Sequence, residues 1–185
     1  KRFRDMGIIL KGRILEDIDY VFSSDWSFIT GEQLKTGKQE YANEGNSEIR
    51  IVPSGPDVNT DPIYDALLTA IFDAKDRITI VTPYFVPNDE LLNALSLALK
   101  RAVKVNIITS FKSNHRFIDF AAMSMLRDLE SQGANVHLDM EKVIHAKLIV
   151  FDNRYAMVGS ANFDMRSLFL NYEIMAIVMS PGDIV

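Results

Sequence analysis

The amino-acid sequence predicts an α/β fold, a layered domain in which helices flank a mixed β-sheet, preceded by a short remnant of another unit. Three observations predict it. Apolar runs of strand length alternate with longer segments whose apolar residues recur at helical spacing. Gly, Pro and Asn separate these segments. The last strands lie too close together for helical crossovers, so the sheet should be mixed rather than purely parallel.

The first 47 residues differ from the rest. Residues 6–10 predict a short strand, and apolar residues from Ile14 onward predict a helix that ends near Trp26. Residues 30–47 are polar, rich in Gly, Lys, Glu and Asn, and without apolar periodicity, which is typical of a linker. We therefore divide the chain into a tail over 1–28, a linker over 29–47 and a C-terminal domain over 48–185.

Strands and helices alternate through the C-terminal domain. Asp61 and Pro62 suit the N-cap and first turn of its first helix, and Gly133 follows the third helix where a C-terminal glycine belongs. The predicted strands are 48–53, 77–82, 104–108, 135–138, 143–151, 155–158 and 172–178, and the predicted helices begin at 61 and span 88–102 and 115–132.

Composition excludes several classes of protein. Cysteine is absent, so disulfides and thiolate metal sites are excluded. The net charge of −5 gives no basic surface for nucleic acid, which we do not expect as a partner. No apolar stretch approaches the roughly 20 residues that span a bilayer. The chain starts at Lys1 without a signal peptide or an initiating Met, so we expect a piece of a longer protein.

The predicted strand 143–151 carries two ionisable residues, His145 and Lys147, among apolar ones. Side chains alternate along a strand, so both should project from one face, whereas Asp152 has the opposite parity. For the pair alone, an ordinary solvated strand face is the simpler interpretation, because short motifs often match by chance.

The segments that follow favour a functional site over a solvated strand face. Ser160 and Asn162 follow Gly159 and lie two residues apart, and Glu173 places a carboxylate in an apolar strand. These groups suit metal-free attack on a phosphodiester: a neutral imidazole acts as nucleophile or proton shuttle, and Lys147 with Asn162 stabilises charge on the phosphoryl oxygens. Glu173 would hold the second ring nitrogen of His145.

His145-x-Lys147-x-x-x-x-Asp152, followed by Gly-Ser-Ala-Asn, resembles the HxKxxxxD (HKD) signature of the phospholipase D superfamily. Residues 52–57, 82–87 and 164–173 further resemble bacterial cardiolipin synthases, and 1–28 resembles the segment just after the first HKD motif of such an enzyme. This sequence has one HKD motif where family members need two. The resemblance therefore implies the C-terminal half of a two-motif enzyme.

The resemblance also implies roles for individual residues. His145 and Lys147 would bind the phosphoryl group, Asn162 would assist them and Ser160 would support them. Glu173 would orient a histidine, and Asp152 would have a structural part within the catalytic motif. Ser160, Arg166 and His115 are candidate substrate contacts. Arg166 would equally suit an ion pair with a neighbouring carboxylate, and His115 a surface or capping role.

The implied reaction is transfer of a phosphatidyl group between phosphatidylglycerol molecules through a phosphohistidine. No metal or other cofactor is expected, because three scattered histidines form no ligand set and the Lys147 ammonium would repel a cation. The expected partners are an anionic phospholipid, the missing N-terminal HKD half and the bacterial cytoplasmic membrane surface, with this piece itself soluble and nearly inactive alone. Two alternatives stay open: a single-motif phosphodiesterase or nuclease active as a homodimer, and a silent phosphate-binding domain.

Overall fold

The computed structural model describes residues 3–34, 41–42, 45–111 and 116–184, with the side chains of residues 116–118 left out. Its strands are β1 (Phe3–Arg4), β2 (Ile49–Ser54), β3 (Arg77–Val81), β4 (Phe85–Val86), β5 (Lys104–Ser110), β6 (Asn135–Asp139), β7 (Val143–Ile144), β8 (Leu148–Phe151), β9 (Tyr155–Gly159), β10 (Phe163–Asp164) and β11 (Glu173–Val178). Its α-helices are α1 (Leu15–Thr30), α2 (Pro62–Asp73), α3 (Asp89–Lys100), α4 (Arg116–Ser131) and α5 (Met165–Phe169). The predicted α/β class is confirmed.

A seven-stranded sheet in the order β2-β11-β9-β8-β3-β5-β6 forms the centre of the molecule. β3, β5 and β6 are parallel neighbours, because helices connect them, and the other neighbours are antiparallel. The sheet is therefore mixed, as predicted. Two short parallel pairs, β1 with β7 and β4 with β10, lie outside it.

Side-chain alternation gives the sheet two different faces. On β3, Ile78 and Ile80 are fully buried in a core shared with α2, α3 and α4. On β8, Ile149 and Phe151 enter the same core, whereas alternate residues of β8 belong to a smaller cluster around Val178. The main core therefore lies between one sheet face and the three helices.

Where the sequence predicts the ends of α2, α3 and α4, the structure places them nearby, but not every predicted capping interaction forms. Asn88 caps α3, since its side chain accepts a hydrogen bond of 3.1 Å from the Leu91 amide. Pro62 opens α2 as predicted, but the Asp61 side chain makes no capping hydrogen bond. Gly133 ends α4 at a φ of +106°, the left-handed region that favours glycine.

The N-terminal segment differs from its prediction. Residues 6–10 form no strand; the strand is Phe3–Arg4, which pairs with β7. The helix continues to Thr30, and Gly31 closes it in the left-handed conformation. None of the residues of α1 is fully buried. Within the described residues, no helix has the length and apolar character needed to cross a membrane.

The predicted continuous strand over 143–151 is wrong. β7 and β8 are separate, and residues 145–147 lie between them outside any strand. The reason is a change of partner: the amides of His145 and Ala146 both donate to the Arg4 carbonyl, at 2.7 and 3.2 Å, before β8 joins the main sheet. Strand alternation therefore does not set the directions of the His145 and Lys147 side chains. The His145 side chain is exposed, whereas Lys147 is buried.

Candidate active site

The residues singled out in the sequence lie mainly along one edge of the sheet. β3 ends there, β8 and β11 begin there, and β9 ends there at Gly159. The register sets Lys147 beside Gly159, whose amide donates to the Lys147 carbonyl at 3.3 Å, and pairs Glu173 with Ser54 of β2. Antiparallel pairing thus gathers residues that are distant in sequence at this edge.

Gly159 is required for this assembly. A Cβ atom there would lie 2.1 Å from the Ile174 carbonyl oxygen and 2.8 Å from the Met175 Cα, both of which are backbone atoms. Only glycine therefore permits β9 and β11 to approach this closely. The close approach holds Ser160 next to β11, where its amide donates to the Ile174 carbonyl at 3.0 Å.

His145 is held by an aspartate from the other end of the chain. Its Nδ1 lies 2.9 Å from Oδ2 of Asp5, and its ring packs edge-on to Phe3 with 5.9 Å between ring centres. The hydrogen bond to His145 lowers the pKa of the Asp5 carboxyl, so this carboxylate is an acceptor. Nδ1 then carries the proton, and the lone pair of Nε2 faces away from this bond.

Lys147 is buried, with 9 % of its surface exposed, and its Nζ donates to the His145 carbonyl at 2.5 Å. Burial lowers the pKa of its ammonium, because desolvation disfavours the charged form. The charges of Asp5, Glu173 and Asp164 oppose that shift. The ammonium is therefore largely desolvated, and its hydrogen bond is to a backbone carbonyl rather than to a carboxylate.

Glu173 has a different partner from the one that the sequence predicted. Its Oε2 accepts a very short hydrogen bond from the Ser160 hydroxyl, and its Oε1 accepts from the Asn171 amide at 3.1 Å. The prediction that Glu173 orients His145 is wrong here, because Asp5 occupies Nδ1. Arg166 donates its Nε to Asn171 at 3.3 Å.

Asn162 lies between Ala161 and the start of β10. Its Oδ1 is buried and has no hydrogen-bond partner among the described residues. An unpaired buried polar atom is costly and is uncommon outside functional sites. Its proposed contact with the phosphoryl group remains a prediction. His115 lies outside the described residues.

Asp152 lies at the opposite end of β8 from Lys147. Its carboxylate accepts from the amides of Lys75, Asp76 and Arg77 at 2.7, 2.8 and 2.8 Å. Burial acts to raise its pKa, but these hydrogen bonds prevail and lower it. The carboxylate therefore ties the β8–β9 turn to the loop before β3, and we assign it a structural part.

The sequence reasoning missed Asp5. One signal was available: Asp5 opens the run Met-Gly-Ile-Ile and Glu173 opens the run Ile-Met-Ala-Ile, so each acidic residue precedes a similar apolar segment. Within the described residues, no group of three or more potential ligands is arranged to hold a metal ion. The chemistry of this edge depends on imidazole, ammonium, hydroxyl, amide and carboxylate groups.

Comparison with known proteins gives the family of this chain. Residues 67–185 match the family described as "Cardiolipin synthase, PLD-like domain". The chain belongs to this family. The chain is 30 % identical over 183 residues to cardiolipin synthase A of Pectobacterium carotovorum and to that of Serratia proteamaculans. The alignment covers 96 % of this chain but only 38 % of each relative.

Solved structures give the same fold. Nuc, a phospholipase D family member from Salmonella typhimurium, superposes with a TM-score of 0.60 at 26 % identity, covering 73 % of this chain and 84 % of Nuc. Phosphatidylserine synthase from Haemophilus influenzae superposes with a TM-score of 0.62 at 15 % identity, covering 94 % of this chain and 44 % of that one. The second likeness supports the fold alone.

Proposed function

We propose that this chain supplies one of the two HKD motifs of a cardiolipin synthase-like phosphatidyltransferase. The observation that carries the proposal is that Asp5 holds Nδ1 of His145 while the buried Lys147 ammonium donates to the His145 carbonyl. Together they give an oriented imidazole beside a desolvated cation, which suits a phosphodiester and needs no metal.

The proposed reaction has two displacements. One imidazole Nε2 attacks the phosphorus of phosphatidylglycerol, the P–O bond to glycerol breaks, and the imidazolium of the other motif protonates the departing oxygen. A hydroxyl of a second phosphatidylglycerol then attacks the phosphohistidine, its proton passes to the waiting imidazole, and cardiolipin is released. His145 takes one of these two parts, and Asp5 stabilises its imidazolium in either.

Lys147 and Asn162 would bind the phosphoryl oxygens. The Lys147 ammonium has lost most of its water, so an added anion gains more from it than from an exposed lysine. The Asn162 amide has an oxygen without a partner among the described residues, and its amide nitrogen is a donor for an oxyanion. Ser160 would act through Glu173 rather than on the substrate.

Two observations support a second half. The chain spans 38 % of the length of its cardiolipin synthase A relatives. Asp5 and Glu173 also open similar apolar segments, yet only Asp5 reaches His145. We infer that Glu173 orients the histidine of the other motif, as Asp5 orients this one, so that each half contributes a carboxylate to the other.

The substrate class places this reaction at a membrane. We propose that the working enzyme acts on anionic phospholipid at the bacterial cytoplasmic membrane surface, with no nucleic acid partner. The exposed aromatic residues of α1, among them Tyr20 at 76 % and Phe28 at 72 %, are suited to contact with another half or with lipid.

Joining this chain to an HKD-bearing N-terminal half tests the proposal. The assembled enzyme should convert phosphatidylglycerol to cardiolipin and glycerol, measured by mass spectrometry, whereas monomeric chain alone should be slower by at least about 10²-fold, because it lacks one acid or base. Rapid turnover by the monomer would contradict the division of labour.

A second function is favoured by one comparison. The chain covers 84 % of Nuc, so a family member need not be much longer than the matched region. A two-fold homodimer that brings two copies of His145 together would then act as a phosphodiesterase or nuclease. Gel filtration, followed by an assay of bis(p-nitrophenyl) phosphate hydrolysis in each fraction, distinguishes the two functions. Activity confined to a dimer peak would favour the homodimeric phosphodiesterase or nuclease.

A further inference from the structure

A cavity of about 450 Å³ opens beside the catalytic edge, between α1 and the paired ends of β2 and β11. Ser160 and Glu173 form the wall that it shares with the candidate active site. Its other described lining residues are Ile18, Tyr20, Val21, Phe22, Ser24, Asp25, Pro53, Ser54, Asp57, Val58, Tyr172 and Ile174. The cavity therefore begins where the phosphate site ends.

The described lining of this cavity is acidic. Asp25, Asp57 and Glu173 line it, and none of its described lining residues is cationic. A phosphate group would be repelled there. These carboxylates also belong to no metal-binding arrangement among the described residues. The acidic lining therefore disfavours an anionic ligand.

The lining offers both donors and acceptors. Ser24, Ser54 and Tyr172 contribute hydroxyl groups, and Asp25 with Asp57 contributes carboxylates. A substrate hydroxyl both donates and accepts, so it matches this mixture, whereas an ammonium needs acceptors only and a hydrocarbon chain needs neither. The rings of Tyr172 and its neighbours provide apolar surface for the C–H groups of a polyol.

Gly55 keeps this wall in shape. A Cβ atom at Gly55 would lie 2.6 Å from Cδ1 of Tyr172 and 2.9 Å from Oδ1 of Asp57, so both side chains close directly over the glycine. Desolvation and the charges of Asp57 and Asp25 raise the pKa of the Tyr172 hydroxyl, which keeps it protonated as a donor. The ring and the carboxylate thus form one surface that faces the cavity.

We propose that this cavity is the alcohol subsite of the enzyme, which binds a neutral polyol such as the glycerol headgroup of a phospholipid through Asp25, Asp57 and Tyr172. The inference rests on the proposed function, because the subsite serves the phosphoryl group held at Lys147. In this proposal the cavity determines whether water, a simple alcohol or a polyol accepts the phosphatidyl group.

Acceptor competition in the full-length protein tests the subsite. Labelled phosphatidyl donor is offered with equal concentrations of ¹³C-glycerol, 1-propanol and ethanolamine, and the products are counted by mass spectrometry. Glycerol should be preferred to 1-propanol by about 10-fold or more, since hydrogen bonds to charged groups are the strong ones. Asp57→Ala, an exposed position that should fold normally, and Gly55→Ala should each reduce this preference severalfold.

Asp128→Asn is the matched control, because Asp128 is exposed on α4 and lines none of this cavity; its product ratio should equal that of the wild type. Cleavage of the donor with no preference for glycerol, with ethanolamine preferred, or with a ratio unchanged in both variants would overturn the subsite while leaving the proposed function intact. Absence of both transfer and hydrolysis in the wild type would overturn the proposed function and this inference with it.

Discussion

The two ends of the HKD motif behave differently although only β8 separates them. At one end, His145 and Lys147 lie outside any strand and are fixed by Asp5 and by each other. At the other end, Asp152 is fixed by three backbone amides next to β3. The motif therefore has a chemical end, formed by His145 and Lys147, and an anchoring end, formed by Asp152. The four residues of β8 connect them.

This difference explains why one short motif contains both kinds of residue. Residues 145–147 leave the strand ladder, and the His145 side chain is 53 % exposed there. The strand that follows must then be held in register, and the Asp152 carboxylate does this at its far end. Substitutions at the two ends should consequently change different observables.

Loss of the chemical end should have the largest effect. In the assembled enzyme, His145→Ala and Lys147→Ala should each lower kcat/KM for phosphatidylglycerol by about 10²–10⁴-fold or more, because each removes a group that meets the reacting phosphate. The midpoint of thermal unfolding should move little for His145→Ala, since its side chain is 53 % exposed. A His145→Ala enzyme with more than a tenth of wild-type activity would contradict this assignment.

Asp5→Asn should lower catalysis at the chemical end less than His145→Ala does. Asparagine retains an acceptor for Nδ1 of His145 but loses the charge that stabilises the imidazolium, so kcat should fall by about 10–100-fold with KM little changed. The pH profile of kcat should shift as well, which a merely structural role would not produce. Asp17→Asn, an exposed change on α1, is the matched control.

Asp152→Asn should affect stability more than chemistry. Asparagine tolerates the left-handed backbone of this position, where φ is 52°, but cannot accept all three amide hydrogen bonds as a carboxylate does. Chemical denaturation should show a loss of about 2 kcal/mol at pH 7. An effect on kcat of the folded enzyme as large as that of His145→Ala would break the comparison.

The stabilisation that Asp152 contributes should decrease as the pH falls. The pKa of Asp152 is lowered in the folded protein, so its stabilisation is fully present above the unfolded value of about 3.9 and is lost as the pH falls through the lower folded value. The wild type and Asp152→Asn should therefore converge in stability in acid. A difference that grows below pH 4 would contradict the assignment.

The sequence predicted what local periodicity determines. The mixed sheet and most helix and strand positions follow from alternating apolar residues and short connections. The resemblance also implied a structural part for Asp152, and its carboxylate lies among backbone amides at the opposite end of β8 from Lys147.

The errors arise where partners are distant in sequence. Periodicity cannot show that the Arg4 carbonyl captures the amides of His145 and Ala146 and so interrupts the strand. It also cannot choose between two carboxylates for one imidazole, and Asp5 rather than Glu173 is the partner. Both errors come from the docking of the first five residues, which no pattern in the C-terminal domain reveals.

The geometry of His145 can be measured directly by ¹⁵N NMR of the imidazole during titration with inorganic phosphate. We expect a proton on Nδ1, a change in the Nε2 resonance as phosphate binds, and loss of that change in Lys147→Met. A proton on Nε2, or resonances that do not respond to phosphate at any concentration, would contradict a phosphate site formed by His145, Lys147 and Asp5.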